Sequence, residues 1–224
     1  MSLPDGSGWR RAYREAPHVL HEFACAEDPD GLVLAEMANA LGPAAEGGGR
    51  LLELGCGTRC FGGELASALG WSWIGLDSAP AVLQAAVPPP NQLGKSTLLC
   101  ARAESNPLAD QSVDAVLATW MFGYLAPRVF TACLDECNRV LQPGSFVYAV
   151  ENGAHPNGMP ADGDVDRLLA AGFQEIAEVE TELRFKSADR AAAVTRFLMG
   201  DLAPTVDARG GIPHRVKLLR LAIR

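Results

Sequence analysis

Residues 50–63, "RLLELGCGTRCFGG", carry the chemistry that can be read most directly. An apolar strand runs into Gly55 and Gly57, and a helix pattern follows. Glycine at such a turn lets the backbone approach a ligand with no side chain in the way. Asp77 ends the next apolar stretch, 22 residues after Gly55. A carboxylate there can accept hydrogen bonds from ribose hydroxyls. The pattern to this point fits any nucleoside cofactor. A dinucleotide site asks for a third small residue, where this chain has Cys60. It also asks for an apolar residue where Glu53 stands, because a carboxylate repels a pyrophosphate and suits a cationic ammonium group. No G-x4-G-K-[ST] phosphate loop occurs.

The elements around the turn read as an alternation. Helical patterns near Trp9–Phe23 and over Leu32–Leu41 precede a glycine-rich breaker, "GPAAEGGG". Then come a strand in "RLLELG", a helix in "GGELASALG", a strand in "WSWIGLD" and a helix in "SAPAVLQAA", with Ser78 as its expected N-cap. The linker "VPPPNQLGK" cannot be helical. Strands follow in "STLLCARA" and "VDAVLAT", then a helix over Pro127–Leu141, a "QPG" turn and a strand in "SFVYAVEN". Buried strands alternating with helices imply a parallel sheet covered on both faces and wound in two directions. The tail predicts a helix in "DVDRLLAAGF", a strand in "FQEIAEVETELRF", a helical insert in "SADRAAAVTRFLMG" and a last strand in "HRVKLLRLAIR". These late strands are expected to form an antiparallel edge.

Composition sets limits. The 224 residues are 48% apolar and 21% charged, ordinary for a globular protein. No apolar run approaches the roughly 20 residues that span a bilayer, and the first residues lack a signal-peptide core. The expected location is therefore the cytoplasm, with no membrane partner. A net charge of −8 argues against phosphate-driven nucleic-acid binding, although nine of the 19 Lys and Arg residues lie from Arg184 onward. Six cysteines include two C-x3-C pairs. Phe130, Cys133, Leu134, Cys137 and Leu141 share one apolar helical stripe, so that pair reads as core, and no metal site is expected.

Four stretches in order resemble the motifs of the class I S-adenosylmethionine-dependent methyltransferases of small-molecule type. "LLELGCGT" is similar to their first motif and "WIGLDSAPAVL" to the second. "LLCARAESNPLADQSVDAV" is similar to "D-A-x-x-L-P-F-x-D-x-x-F-D", and "DECNRVLQPGSF" to "E-x-x-R-V-L-K-P-G-G". Together they cover about residues 50 to 150. The resemblance implies a doubly wound, seven-stranded, mostly parallel sheet with one antiparallel strand. It implies an N-terminal helical lid over residues 1–48 and a cofactor-binding domain over 49–224. The cofactor implied is S-adenosyl-L-methionine. Glu53 would lie near the methionine ammonium. Gly55 and Gly57 would give backbone contacts, Asp77 would hold the ribose diol and Ser78 would lie near the adenosine. Ala103 and Glu104 would flank the adenine, with the Ala103 N–H as donor, and Thr119 would face the sulfonium. Arg59 departs from the usual third glycine, and Arg102 stands where an aspartate usually accepts the adenine amino group.

Methyl transfer from a sulfonium is an in-line displacement that needs alignment and a dry pocket. A base is needed only for a weakly acidic acceptor, so no catalytic signature is required, and none is present. His18, His21 and His155 are candidates, although a lone histidine carries little information and reads more readily as a packing or surface residue. Trp120, Met121, Phe122 and Tyr124 could wall a flat acceptor or serve as ordinary helix packing. The expected function is methyl transfer to a small-molecule acceptor whose reacting atom the sequence leaves open. A non-catalytic binding protein on the same fold is the alternative, kept alive by Arg59 and Arg102. A nucleotide-dependent oxidoreductase is disfavoured by Glu53 and Cys60. Oligomeric state is not legible.

Overall fold

The computed structural model describes residues 8–42, 48–89, 96–156, 158–159 and 165–223. Parts of the glycine-rich breaker (43–47), of the proline linker (90–95) and of the Gly/Pro-rich stretch after residue 152 (157 and 160–164) lie outside the described residues.

Three helices open the chain: α1 (Gly8–Glu15), α2 (Pro17–Ala26) and α3 (Leu32–Leu41). The expected single pattern over Trp9–Phe23 is split, because Pro17 lacks an N–H and starts a new helix at its own N1 position. The alternating part follows as β1 (Arg50–Leu54), α4 (Phe61–Leu69), β2 (Ser72–Asp77), α5 (Pro80–Gln84), β3 (Ser96–Cys100), β4 (Val113–Thr119), α6 (Pro127–Val140) and β5 (Leu141–Gly153). The tail supplies α7 (Val165–Ala170), β6 (Gln174–Arg184), α8 (Ala188–Met199) and β7 (Gly211–Ala222). The "QPG" turn is absorbed into β5, whose pairing with β4 shifts register between Val113 and Ala115.

The sheet order is β3-β2-β1-β4-β5-β7-β6. β1 pairs in parallel with β2 and β4, as do β2 with β3 and β4 with β5. β7 runs antiparallel to both its neighbours, β5 and β6. The chain therefore forms the seven-stranded, doubly wound sheet with one reversed strand. The order turns back at β1 and β4, and the carboxyl ends there frame a ligand crevice in folds of this kind.

Side-chain alternation divides the core. Leu52, Leu54, Val116 and Val147 pack with Phe130, Cys133 and Cys137 of α6 on one face. Leu51, Trp73, Leu117 and Val150 pack with α3 and α4 on the other. The period of two along each strand produces this division, and it confirms the cysteine stripe of α6 as packing. A third cluster joins α1, α2 and α8 to Val82, Leu183, Phe185 and Ile212. Leu183 lies near the carboxyl end of β6 and Ile212 near the start of the reversed β7, so this cluster sits over the carboxyl ends of the sheet.

Candidate active site

The turn after β1 is held open by backbone geometry. Gly55 has φ +67° and Gly57 has φ +60°. A Cβ on Gly55 would lie 2.9 Å from the sulfur of Met121, whose flexible side chain would have to shift, so the positive φ is what favours glycine there. Cys56 donates its N–H to the Leu76 carbonyl at 3.0 Å, which ties the turn to β2. Cys60 takes the left-handed conformation immediately before α4.

Asp77, at the end of β2, is buried against this turn. Its Oδ2 accepts from the Gly57 N–H at 3.2 Å, and its Oδ1 accepts from the Ala79 N–H at 2.9 Å. An ionised carboxylate has about four acceptor positions, so some remain beyond these two. Burial pushes the Asp77 pKa up, opposed by the backbone N–H donors. Ser78 is exposed and is not the helix N-cap: Ala79 holds that position with no side-chain bond, and Asp77 supplies the local acceptor instead.

Glu53 is fully buried beneath the first turn of α4. Its Oε2 accepts from the Trp73 indole N–H at 3.0 Å, and a Cβ on Gly62 would lie 2.9 Å from that oxygen. Its Oε1 has no hydrogen-bond partner among the described residues. Burial pushes the carboxyl up to about 8, even though the Gly62 and Trp73 N–H groups favour the charged form.

Arg59 lies in the turn, ahead of the helix, and reaches the N-terminal segment. It donates to the Ala24 carbonyl at 3.1 Å and to the Glu27 carbonyl at the end of α2, and it pairs with Glu64 at 3.1 Å. The guanidinium also lies 5.5 Å from the centre of the Phe61 ring. The residue that breaks the glycine pattern is thus a clamp between the turn and α2. Arg102 has a simpler duty. It is mostly exposed and pairs with Glu104, next to the buried Ala103 that begins a short 3-10 turn.

Thr119 is buried at the end of β4, and Trp120 follows with φ +50°. The Trp120 ring meets Phe61 edge-on at 6.0 Å, and its N–H donates to Asn152 Oδ1 at 2.6 Å. Phe122, readable from sequence as pocket wall or as packing, is fully buried and packs edge-on against Phe130 and Phe173. Met121 lies under Gly55. Of the histidines named from sequence, His18 is exposed, His21 faces Cys25 at 3.5 Å and His155 faces Glu180 at 3.5 Å.

Sequence reasoning passed over Tyr13 and His214. Tyr13 is carried to the site by α1; burial, followed by the charges of Asp77 and Glu27, pushes its phenol well above the ordinary tyrosine range. His214 is fully buried on β7, its Nε2 2.6 Å from Asn152 Oδ1. Neither bears a local motif. The one signal for His214 was its register, which it shares with Val216 and Leu218 while Arg215 and Lys217 take the other face. A surface cleft lined by Gly49, Arg50, Ser72 and Asp114 lies at the amino ends of β1 and β2, away from all of these groups.

Residues 52–149 match the family model described as a methyltransferase domain. A ubiquinone/menaquinone biosynthesis C-methyltransferase of Syntrophotalea carbinolica is 33% identical over 115 residues, 48% of this chain and 46% of that protein. Phosphoethanolamine N-methyltransferase 1 of Triticum aestivum is 32% identical over 114 residues, 50% of this chain and 23% of that protein. The chain thus matches about half the length of the first relative and about a quarter of the second. The fold extends the likeness further: the YcgJ protein of Bacillus subtilis superimposes with a TM-score of 0.59 at 17% identity, over 85% of this chain and 97% of that one. The chain thus carries a methyltransferase domain over residues 52–149. Members of this family use S-adenosyl-L-methionine. No helix among the described residues of the chain is long and apolar enough to cross a membrane.

Proposed function

We propose that the chain transfers the methyl group of S-adenosylmethionine to a small-molecule acceptor. The observation that carries this reading is the pairing of an open glycine turn with two buried acids, Asp77 bonded to the turn and Glu53 with an unfilled oxygen. The residues fit the cofactor. Glu53 Oε1 is an acceptor awaiting a donor, which the methionine ammonium provides. Asp77 keeps acceptor positions for the ribose diol. Gly55 and Gly57 bring backbone alongside the methionine and ribose portions. Ser78 lies beside the adenosine, the Ala103 N–H and Glu104 flank the adenine, and Thr119 faces the sulfonium. The bound cofactor supplies the electrophilic methyl carbon; the chain aligns it and keeps water out.

Residues 1–48 act as the lid of this site. The Arg59 clamp on the last carbonyls of α2 and the half-buried Tyr13 of α1, whose phenol feels the Asp77 charge, support that role. Arg59 and Arg102 both have structural partners, so neither departure from the family pattern argues for a repurposed fold. The two curated relatives are named for C- and N-methylation, so they share no acceptor atom.

The test is a methyl-transfer screen. The full chain is incubated with cofactor labelled at the methyl group and fractionated small-molecule extracts. Labelled product that depends on the chain and disappears with Asp77→Ala supports the proposal. Cofactor binding without transfer in any fraction would favour a binding protein.

A further inference from the structure

The reversed strand carries polar atoms that the cofactor site does not use. His214 Nδ1 and Thr181 Oγ1 are both buried and without a hydrogen-bond partner among the described residues. His214 and Thr181 are directly opposite in the β6–β7 ladder, so their side chains share one face of the sheet. Apolar residues flank the pair on both sides. Val179 and Val216 belong to the cluster under α3 and α4, and Leu183 and Ile212 to the cluster under α8. A buried polar atom left unpaired forfeits its solvation without return, so two together call for an occupant.

The tautomer of His214 follows from its neighbours. The Trp120 indole N–H can only donate, so the Asn152 atom 2.6 Å away is the carbonyl oxygen. The same oxygen lies 2.6 Å from His214 Nε2, so Nε2 carries the hydrogen. Nδ1 then holds a lone pair. Burial, with the charge of His155 second, pushes the His214 pKa down to about 4, so the ring is neutral at pH 7. The missing partner of Nδ1 must be a donor, and Thr181 can donate in turn. One hydroxyl group satisfies both, giving its hydrogen to Nδ1 and accepting from Oγ1. An ammonium group has no lone pair for Thr181. The pair lies at the carboxyl end of the sheet. It is linked through Asn152 to Trp120, the residue after Thr119.

We propose that His214 Nδ1 and Thr181 Oγ1 form the part of the acceptor site that reads a hydroxyl group. This inference rests on the methyltransferase reading. It makes the acceptor a hydroxyl-bearing molecule, with an aromatic body favoured by the Trp120 ring, which shares the Asn152 oxygen with His214.

The test uses the full chain labelled with 15N-histidine, with and without S-adenosylhomocysteine, titrated with phenol and separately with toluene. Phenol is expected to move the Nδ1 resonance of His214 saturably, and toluene to leave it in place. Thr181→Val, which keeps the shape and removes the hydroxyl, is expected to weaken phenol roughly fivefold. His214→Gln, which can keep a donor to Asn152 while losing the Nδ1 acceptor, is expected to weaken phenol at least as much by calorimetry. An equal response to toluene, no response to phenol, or unchanged phenol affinity in Thr181→Val overturns the inference and leaves a site for water alone. A melting-temperature shift with S-adenosylhomocysteine on the same samples reports separately on the methyltransferase reading.

Discussion

Replacing Glu53 with Gln is the perturbation whose size follows most directly from the structure. The folded protein raises this carboxyl from 4.5 to about 8 by burial. The raised pKa means that folding favours the protonated acid. The contribution is intact below pH 4.5, and it is lost as pH rises through the folded value. The full difference corresponds to about 5 kcal/mol. About 4 kcal/mol of it falls between pH 5 and pH 9. Glutamine keeps an oxygen that can accept from Trp73 and carries no ionisable proton. The free energy of urea unfolding is measured for both chains at pH 5, 7 and 9. The variant should gain steadily on the native chain, by about 4 kcal/mol across that range, and comparing the two cancels every other titrating group. The gain in stability should come with weaker binding of S-adenosylhomocysteine, because glutamine cannot ionise opposite the ammonium as Glu53 can. A difference between the two chains that stays constant from pH 5 to 9 would refute the reasoning, since Glu53 would then be ionised in both states or accessible to water.

Arg59→Ala removes the clamp on α2; it is expected to cost on the order of 2–3 kcal/mol and to speed hydrogen exchange of the α2 amides, and unchanged α2 protection would sink the clamp. His214 has the opposite sign from Glu53: its pKa falls from 6.5 to about 4, so the unfolded chain binds the extra proton, and stability present above pH 6.5 is lost as pH falls through 4. The loss is about 3 kcal/mol; unfolding measured from pH 7 to 4 should show it in the native chain and less of it in His214→Gln, and identical acid limbs would contradict it. Gly55→Ala places a Cβ 2.9 Å from the Met121 sulfur at φ +67°; it should cost at least about 1–2 kcal/mol from the backbone alone and abolish cofactor binding, and an unaffected midpoint in a urea titration would count against the turn geometry.

Much of this was legible in the sequence because it is local. The β1 strand, its two glycines and the acid ending β2 are set by residue type and short spacing, as is the apolar stripe of α6. The reversed β7 could be expected as an edge pairing, but its place between β5 and β6 depends on contacts distant in sequence. The site was less legible where it depends on such contacts. Arg59 looked like an intruder in a glycine motif, and its partners, the carbonyls of Ala24 and Glu27, are 35 and 32 residues away. Ser78 looked like an N-cap because serine favours that position, but the Asp77 carboxylate took the nearby N–H first. Phe122 followed a strand end as a pocket residue would, yet the core claimed it through Phe130 and Phe173. Tyr13 and His214 reach their places only when α1 folds over the sheet and β7 inserts beside β5, so no spacing rule points to them.

The central claim is that Asp77 and the glycine turn hold the nucleoside of S-adenosylmethionine. Thermal unfolding with S-adenosylhomocysteine, compared between the native chain and Asp77→Ala, tests it most directly. At 100 times its dissociation constant the ligand should stabilise the native chain by about 2.7 kcal/mol, Asp77→Ala should show no shift, and NAD should shift neither. An equal shift in both chains, or a shift with NAD and none with S-adenosylhomocysteine, would contradict the account.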